Sequence, residues 1–340
     1  MNFTRYKPCQ LSEKVLRLPP KSIDGCLPDV FQREAEVYSD TPESGIYIVK
    51  NGIAFSGGDC YTSWGGCIHW NNESLPVNSP RSRKYWSVKP WLISKQHISG
   101  TVAVLVHPQQ NGYFHWLFDV LPRLALIEKS GLKPDYIYIS QDLPFQRESL
   151  SFLGNKYEIL NANHISAISA EYLLIPSAPS VSGVMCPWIC DFLRQNLDKA
   201  TAKLTIDARE VPERIYISRK KAKHGKLTNE EEVQEFLEGH GFQTICTEDL
   251  SFLEQINLFQ SAKVVVGTHG AGFSNLVFSS RDTQLVEIFS PDYLNVCYWT
   301  LCSQVGIRYS FVIGESSFTD SRYRPNIYLE TSKLNYIALN

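Results

Sequence analysis

Net charge is almost absent: thirty-three Lys plus Arg stand against thirty-five Asp plus Glu, a formal balance of −2. Such a chain has no bulk electrostatic footprint for DNA, RNA or an anionic membrane, so no nucleic-acid partner is expected and any anion must be held locally. Long apolar runs are missing too. The most membrane-like stretch, residues 172–190, is broken by Pro176, Pro179 and Pro187, which argues against a transmembrane segment and leaves at most a peripheral membrane contact. The opening MNFTRYKPCQ lacks the apolar core of a signal peptide, and a cytoplasmic location is expected. Nine cysteines, an odd number without a CxxC pair, do not make a disulfide framework. Cys60 and Cys67 with His69, or Cys186 with Cys190, are badly spaced for zinc; buried thiols are the simpler reading, and neither a metal site nor a cofactor is expected. Three phosphate signatures are lacking as well: GxGxxG, the GK[ST] of a P-loop, and any DxD. The first two absences weaken dinucleotide and ATPase readings.

What is present is a globular composition. The 340 residues are 43% hydrophobic and 12% aromatic, enough for two sizeable cores. In the carboxyl-terminal half, short apolar runs alternate with amphipathic stretches, the pattern of a parallel sheet covered by helices. Strands are expected at 214–218, 242–247, 263–266, 284–289 and 308–313, with helices at 229–241, 251–262, 273–278 and 293–305. Ser251 with Glu254 makes a capping box for the second of these helices. Together they predict a Rossmann-like domain over residues 206–320, its ligand edge at the carboxyl ends of the strands, followed by a carboxyl-terminal segment, 321–340. Residues 1–205 read as a second α/β domain from Thr101 onward, with strands at 101–106, 136–140 and 172–176 and helices at 112–130 and 145–153. Its first 90 residues look β-rich, with a hairpin across Asn51-Gly52. The boundary is expected between Ala200 and Val211. The fold class is therefore α/β: two Rossmann-like domains facing across a cleft, with a β-rich amino-terminal extension.

The sharpest local signal is VVVGTHGAGFSNLVF at 264–278, a buried strand running through small residues into a helix. Gly267, Gly270, Ala271 and Gly272 let a ligand approach the backbone, while N–H groups at the helix start offer partial positive charge to an anion. His269 and Asn275 can each donate to a phosphate oxygen. A tight turn without a ligand fits the same glycines. The first strand of this domain ends in a basic cluster, Arg219, Lys220, Lys221, Lys223, His224 and Lys226. Most of these suit a solvated loop, whereas Arg219, directly at the strand end, can fork onto phosphate. Glu287, near the end of the fourth strand, is placed either to accept two ribose hydroxyls or to face solvent. In the other half, His115, Asp119 and Arg123 fall at i, i+4 and i+8, a polar stripe expected to face something other than core. A carboxylate one turn from an imidazole orients it as a general base; a His-Asp-Arg network that only pins the helix has the same spacing. Pro122 is expected to kink this helix by removing the backbone bond to Phe118.

Taken in order, NGYFHWLFDVLPR at 111–123, RIYISR at 214–219 with Asn229-Glu230, Glu254-Gln255, HGAG at 269–272 with Asn275, and VEIF at 286–289 with Pro291 resemble glycosyltransferase family 61. That family includes bacterial capsular-polysaccharide transferases and eukaryotic xylosyl- and N-acetylglucosaminyltransferases, and the resemblance spans about residues 105–315. It implies a GT-B architecture, a nucleotide sugar held by the second domain, and transfer with inversion to a glycan or lipid-linked glycan acceptor. On this resemblance His115 is the base, oriented by Asp119, with Asp119 itself the second choice, and Arg123 helps hold donor or acceptor. Arg219, Lys226, His269 and the turn Gly270-Ala271-Gly272, with Asn275, hold the leaving diphosphate, and Glu287 the ribose. The donor is expected to be a uridine diphosphate sugar. Without DxD, protein cations must do what a metal does in DxD-type transferases, so the reaction is expected to be metal-independent. An epimerase or pyruvyltransferase on a similar scaffold, or a nucleotide-sugar-binding protein without catalysis, would carry many of the same features.

Overall fold

A computed structural model of the chain describes residues 4–15, 17–25, 27–37, 40–63, 67–70, 73–74, 92–154, 156–201, 211–317 and 325–335. Its contacts divide the chain into two units, residues 1–13 with 41–182 and residues 14–40 with 183–340. Both are mixed α/β with parallel strands at the centre.

In the second unit six parallel strands lie side by side in the order Gln243–Ile245, Arg214–Ile217, Val264–Thr268, Gln284–Phe289, Arg308–Ile313 and Lys21–Ser22. Counted along the chain from Arg214, the first five run 2-1-3-4-5, a doubly wound order. Val264–Thr268 and Gln284–Phe289 are buried along their whole length, which is why neither shows the polar alternation of a half-exposed strand. The capping box forms as expected: Ser251 Oγ accepts from Glu254 N, and the Glu254 carboxylate accepts from Ser251 N at 2.7 Å. The helix expected from residue 293 begins only at Cys297, because Ser290 bridges to Tyr293 and Asn295 Oδ1 accepts from Cys297 N.

The division lies at residues 182 and 183, not between 200 and 211, and residues 202–210 are outside the described ones. Helix Pro187–Thr201 belongs with the second unit, where Arg194 Nε and Nη2 donate to the carbonyls of Val277 and Ser279 at 2.5 and 2.7 Å. Residues 14–40 join the same unit. Phe31 stacks on Phe311 with centroids 4.8 Å apart, and Trp299 Nε1 donates to Leu18 O at 2.6 Å. The carboxyl-terminal segment is part of this unit as well, since Asn229 exchanges two hydrogen bonds with the backbone of Leu329.

The first unit has four parallel strands, Glu158–Asn161, Tyr136–Ile139, Gln96–Val104 and Ala167–Pro176, in the chain order 3-2-1-4. Antiparallel strands from residues 4–74 extend this sheet, so the described residues of the amino-terminal region are β-rich, while residues 75–91 lie outside the described ones. The expected hairpin at Asn51-Gly52 is absent. Lys50 pairs with Tyr172 and Ile53 with Ser169, so Ser44–Lys50 and Ile53–Phe55 form one interrupted edge along Ala167–Pro176. Asn51, at φ 52°, bends this edge, and its N–H still donates to Glu171 O at 2.9 Å. The long helix runs as Tyr113–His115, a π turn Trp116–Val120, and Pro122–Ser130. Leu121 N reaches back five residues to Trp116 O at 3.0 Å, so the π turn delivers Pro122 to the first position of the last segment, where its missing N–H is harmless. Among the described residues no helix is long and apolar enough to cross a membrane. Cys60, Cys186, Cys190, Cys297 and Cys302 are buried.

Candidate functional site

Parallel sheets place ligands beyond the carboxyl ends of their strands, at the point where the strand order reverses. In the first unit that point lies between Gln96–Val104 and Ala167–Pro176. His107 follows the first of these strands and Ser182 the second. Both converge on Asp119: its Oδ2 accepts from Ser182 Oγ at 3.0 Å and from His115 Nδ1 at 2.6 Å, and lies 3.9 Å from His107 Nε2. The His107 and His115 rings stack at 5.4 Å with 19° between their planes. Because a carboxylate only accepts, His115 Nδ1 carries the hydrogen and Nε2 is left with a lone pair. The His115 side chain is 24% exposed, so that lone pair is within reach of a substrate hydroxyl. Trp116 Nε1 on Ser149 Oγ at 2.8 Å, and Gln146 Nε2 on Gln110 O at 3.0 Å, pin the helix and the loop before it.

The polar stripe does not face outward as expected. Asp119 and Arg123 are 2% and 1% exposed, and only His115 emerges. Arg123 donates through Nε to Asp119 O at 2.9 Å and through Nη1 to Val106 O at 3.2 Å, which places it as a buried counter-charge rather than a ligand holder. Burial pushes its guanidinium down to about 10, against the opposing pull of Asp119, so it stays charged at neutral pH. The ligand atoms of His107, His115 and Asp119 lie within 4.8 Å of one another, near enough together for a metal. As arranged they do not suit one. The Gln109 N–H donates to His107 Nδ1 at 3.0 Å, so the neutral ring keeps its hydrogen on Nε2, the very atom a cation would need.

In the second unit the order reverses between Arg214–Ile217 and Val264–Thr268. Beyond these ends stand Arg219 and the HGAG turn. Glu230 Oε1 accepts from Ser218 Oγ at 2.8 Å, Tyr216 OH at 3.1 Å and Arg219 N at 3.1 Å, and so fixes the strand end. The Arg219 guanidinium donates to Gly225 O at 3.2 Å and His224 O at 2.9 Å and lies against the α-carbon of Gly270. A Cβ at 270 would overlap Arg219 Nη1, so glycine is required there to admit the arginine, not for its backbone angle, which is extended at φ −175°. Gly267 and Gly272 likewise make room for Ile217 O and Thr247 Oγ1, where a Cβ would come to 2.9 and 3.0 Å. The expected access of a ligand to these glycines is thus largely taken by protein, while Ala271 is exposed at the tip of the turn. Thr268 Oγ1 on Gly225 O at 3.2 Å draws the basic loop to the same edge, and Lys226 Nζ donates to Lys220 O at 2.8 Å.

His269 completes the group. Its Nδ1 meets Glu287 Oε1 at 2.6 Å, and the other carboxylate oxygen accepts from Tyr309 OH at 2.7 Å. Glu287 is wholly buried with both oxygens engaged, so it orients His269 and does not reach a ribose. Burial first, and Glu287 next, push the Tyr309 phenol well above its ordinary range, which keeps it a donor. Around the imidazole, Phe289, Tyr293 and Tyr298 stand with centroids at 5.7, 5.5 and 5.1 Å, leaving Nε2 as the atom for a ligand. Asn275 is also wholly buried, and its amide donates to Gln255 Oε1 at 2.8 Å and Gly272 O at 3.1 Å. It shapes the turn from inside and is not a phosphate donor. His107, Ser182, Glu230 and Tyr309 were not singled out by sequence reasoning; Glu230 alone had a signal, in the Asn229-Glu230 motif. A cavity of about 360 Å³, lined by Lys21, Trp299 and Arg308 among others, opens at the opposite, amino ends of the second unit's strands, away from all of these groups.

A family profile described as Glycosyltransferase 61 matches residues 113–286, just over half of the chain. A beta-1,2-xylosyltransferase of Oryza sativa subsp. japonica is 32% identical over 87 residues, 22% of this chain and 16% of the relative. An EGF domain-specific O-linked N-acetylglucosamine transferase of Drosophila melanogaster is 30% identical over 97 residues, 28% of this chain and 18% of the relative. The matched stretch thus spans less than a fifth of either relative's length.

Proposed function

The chain belongs to the glycosyltransferase 61 family, and on that premise we propose that it moves a sugar from a nucleoside diphosphate to a hydroxyl of a glycan acceptor, with inversion and without a metal. The observation that carries this reading is the pairing of Arg219 with Gly270 beside the His269–Glu287–Tyr309 chain at the strand-order reversal of the second unit. There the Arg219 guanidinium, His269 Nε2 and the Lys226 ammonium bind the diphosphate. The first unit supplies the base. An acceptor O–H gives its proton to His115 Nε2 while its oxygen bonds to the anomeric carbon; the bond from that carbon to the diphosphate oxygen breaks, and its electron pair leaves with the diphosphate. Asp119 stabilises the resulting imidazolium. A GT-B architecture, with the donor on the second unit, is part of this proposal, as is a uridine nucleotide; xylose and N-acetylglucosamine, the sugars in the names of the two matched relatives, set the probes, UDP-xylose and UDP-N-acetylglucosamine.

Product analysis tests the reaction class. Free nucleoside diphosphate with a lengthened glycan supports transfer; an isomerised nucleotide sugar or a pyruvylated glycan refutes it. Thermal shift tests the site. A ligand at 100 times its dissociation constant adds about 2.7 kcal/mol to stability, and the Arg219→Ala, His269→Ala double variant is expected to lose the shift that UDP gives the wild type.

A further inference from the structure

A buried donor without an acceptor is costly, and His107 carries one. The residue is 2% exposed, and its Nδ1 accepts from the Gln109 N–H, which leaves the hydrogen of the neutral ring on Nε2. Among the described residues Nε2 has no hydrogen-bond partner. It is aimed at one all the same: Asp119 Oδ2, 3.9 Å away, just beyond bonding distance.

We propose that His107 is a positioning residue for the His115–Asp119 pair, its Nε2–H closing on Asp119 Oδ2 as His115 takes up the acceptor's proton. This rests on His115 being the base. Asp119 Oδ2 already accepts from His115 and Ser182, and the buried Arg123 lies on the same helix. A third donor keeps the carboxylate ionised, so that the proton stays on His115 instead of passing to Asp119. The groups facing His107 are Asp119, His115 and Arg123 from the helix, and the Gln109 N–H with the Gln110 side chain from its own loop. Burial, then Arg123, hold its ring near 4 against the pull of Asp119, so at working pH it is neutral and never competes with His115 for the proton.

Two isosteric changes separate this role from a structural one. Asparagine places an amide oxygen where Nδ1 stands, and glutamine an amide nitrogen where Nε2 stands. H107N therefore keeps an acceptor for Gln109 N–H and loses the donor to Asp119; H107Q does the reverse. In UDP release from UDP-xylose and UDP-N-acetylglucosamine, H107N is expected to lose roughly tenfold in kcat with donor KM unchanged, while H107Q stays near wild type. The acidic limb of kcat/KM should move to higher pH in H107N only, because a less satisfied Asp119 holds the His115 proton more tightly. The opposite ranking, Asn active and Gln impaired, overturns the proposal. Long-range proton–nitrogen NMR of the unmodified protein gives a test that needs no turnover. A His107 ring protonated at Nε2 from pH 8 to 5 supports it; one protonated at Nδ1, or titrating near 6.5, refutes it. Full activity in H115A would sink the base assignment instead, and is read separately from the NMR result.

Discussion

Replacing Gly270 by alanine should act on a ligand through Arg219 alone. The backbone at 270 is extended at φ −175°, so alanine adopts it without strain. The added Cβ would overlap Arg219 Nη1 and come to 2.9 Å from Cζ and 3.3 Å from Cδ, so the guanidinium must move. It donates to Gly225 O at 3.2 Å and His224 O at 2.9 Å, and neither bond survives a displacement of an ångström or more. If Arg219 grips the diphosphate, the loss is that of a charge-assisted bond, about 1.5–3 kcal/mol, or roughly 10- to 150-fold in affinity. Isothermal titration with UDP on the wild type, G270A, R219A and the double variant measures it. The double variant should bind as weakly as R219A and no more weakly, since both changes remove one interaction. Unchanged affinity in G270A, or additive losses in the double variant, would refute the reasoning. Ala271→Ser, one residue on at the exposed tip, is the control expected to leave affinity within about twofold.

Acid stability should report His107. Its folded ring takes a proton only near pH 4 and an unfolded ring near 6.5, so the unfolded state binds the extra proton in that window and stability falls as pH falls; the difference is about 3 kcal/mol. Urea melts from pH 6.5 to 4 should show this slope in the wild type and a correspondingly shallower one in H107Q. Tyr309→Phe leaves a buried oxygen of Glu287 without its donor and should cost about 1–3 kcal/mol in a thermal melt, with weaker UDP binding as His269 loosens. Turnover should be unchanged in excess EDTA, because Arg219 and Lys226 carry the positive charge for the diphosphate; a loss restored by a divalent cation would contradict that.

Much of the second unit was legible because its signals are local. Strands 284–289 and 308–313 were delimited as they stand, and Ser251 with Glu254 announced its own helix. What could not be read locally is where distant segments go. The described residues of 14–40 carry a two-residue strand and one helix, too little to reveal that Phe31 belongs against Phe311. The Asn51-Gly52 pair has the chemistry of a hairpin turn, but a neighbouring strand continuous across both flanks held them in line. At the site, spacing correctly joined His115 to Asp119, yet i+4 periodicity says nothing of depth, so Arg123, Glu287 and Asn275 were expected at a ligand and lie in the interior. His107 and Tyr309 carry no motif at all; only the sheet brings them to Asp119 and Glu287.

The most direct measurement is a crystal structure of the protein with uridine diphosphate. Diphosphate oxygens within about 3.2 Å of the Arg219 guanidinium and His269 Nε2 are the predicted result. A diphosphate bound beside His115, or in the cavity lined by Trp299 and Arg308, would contradict it.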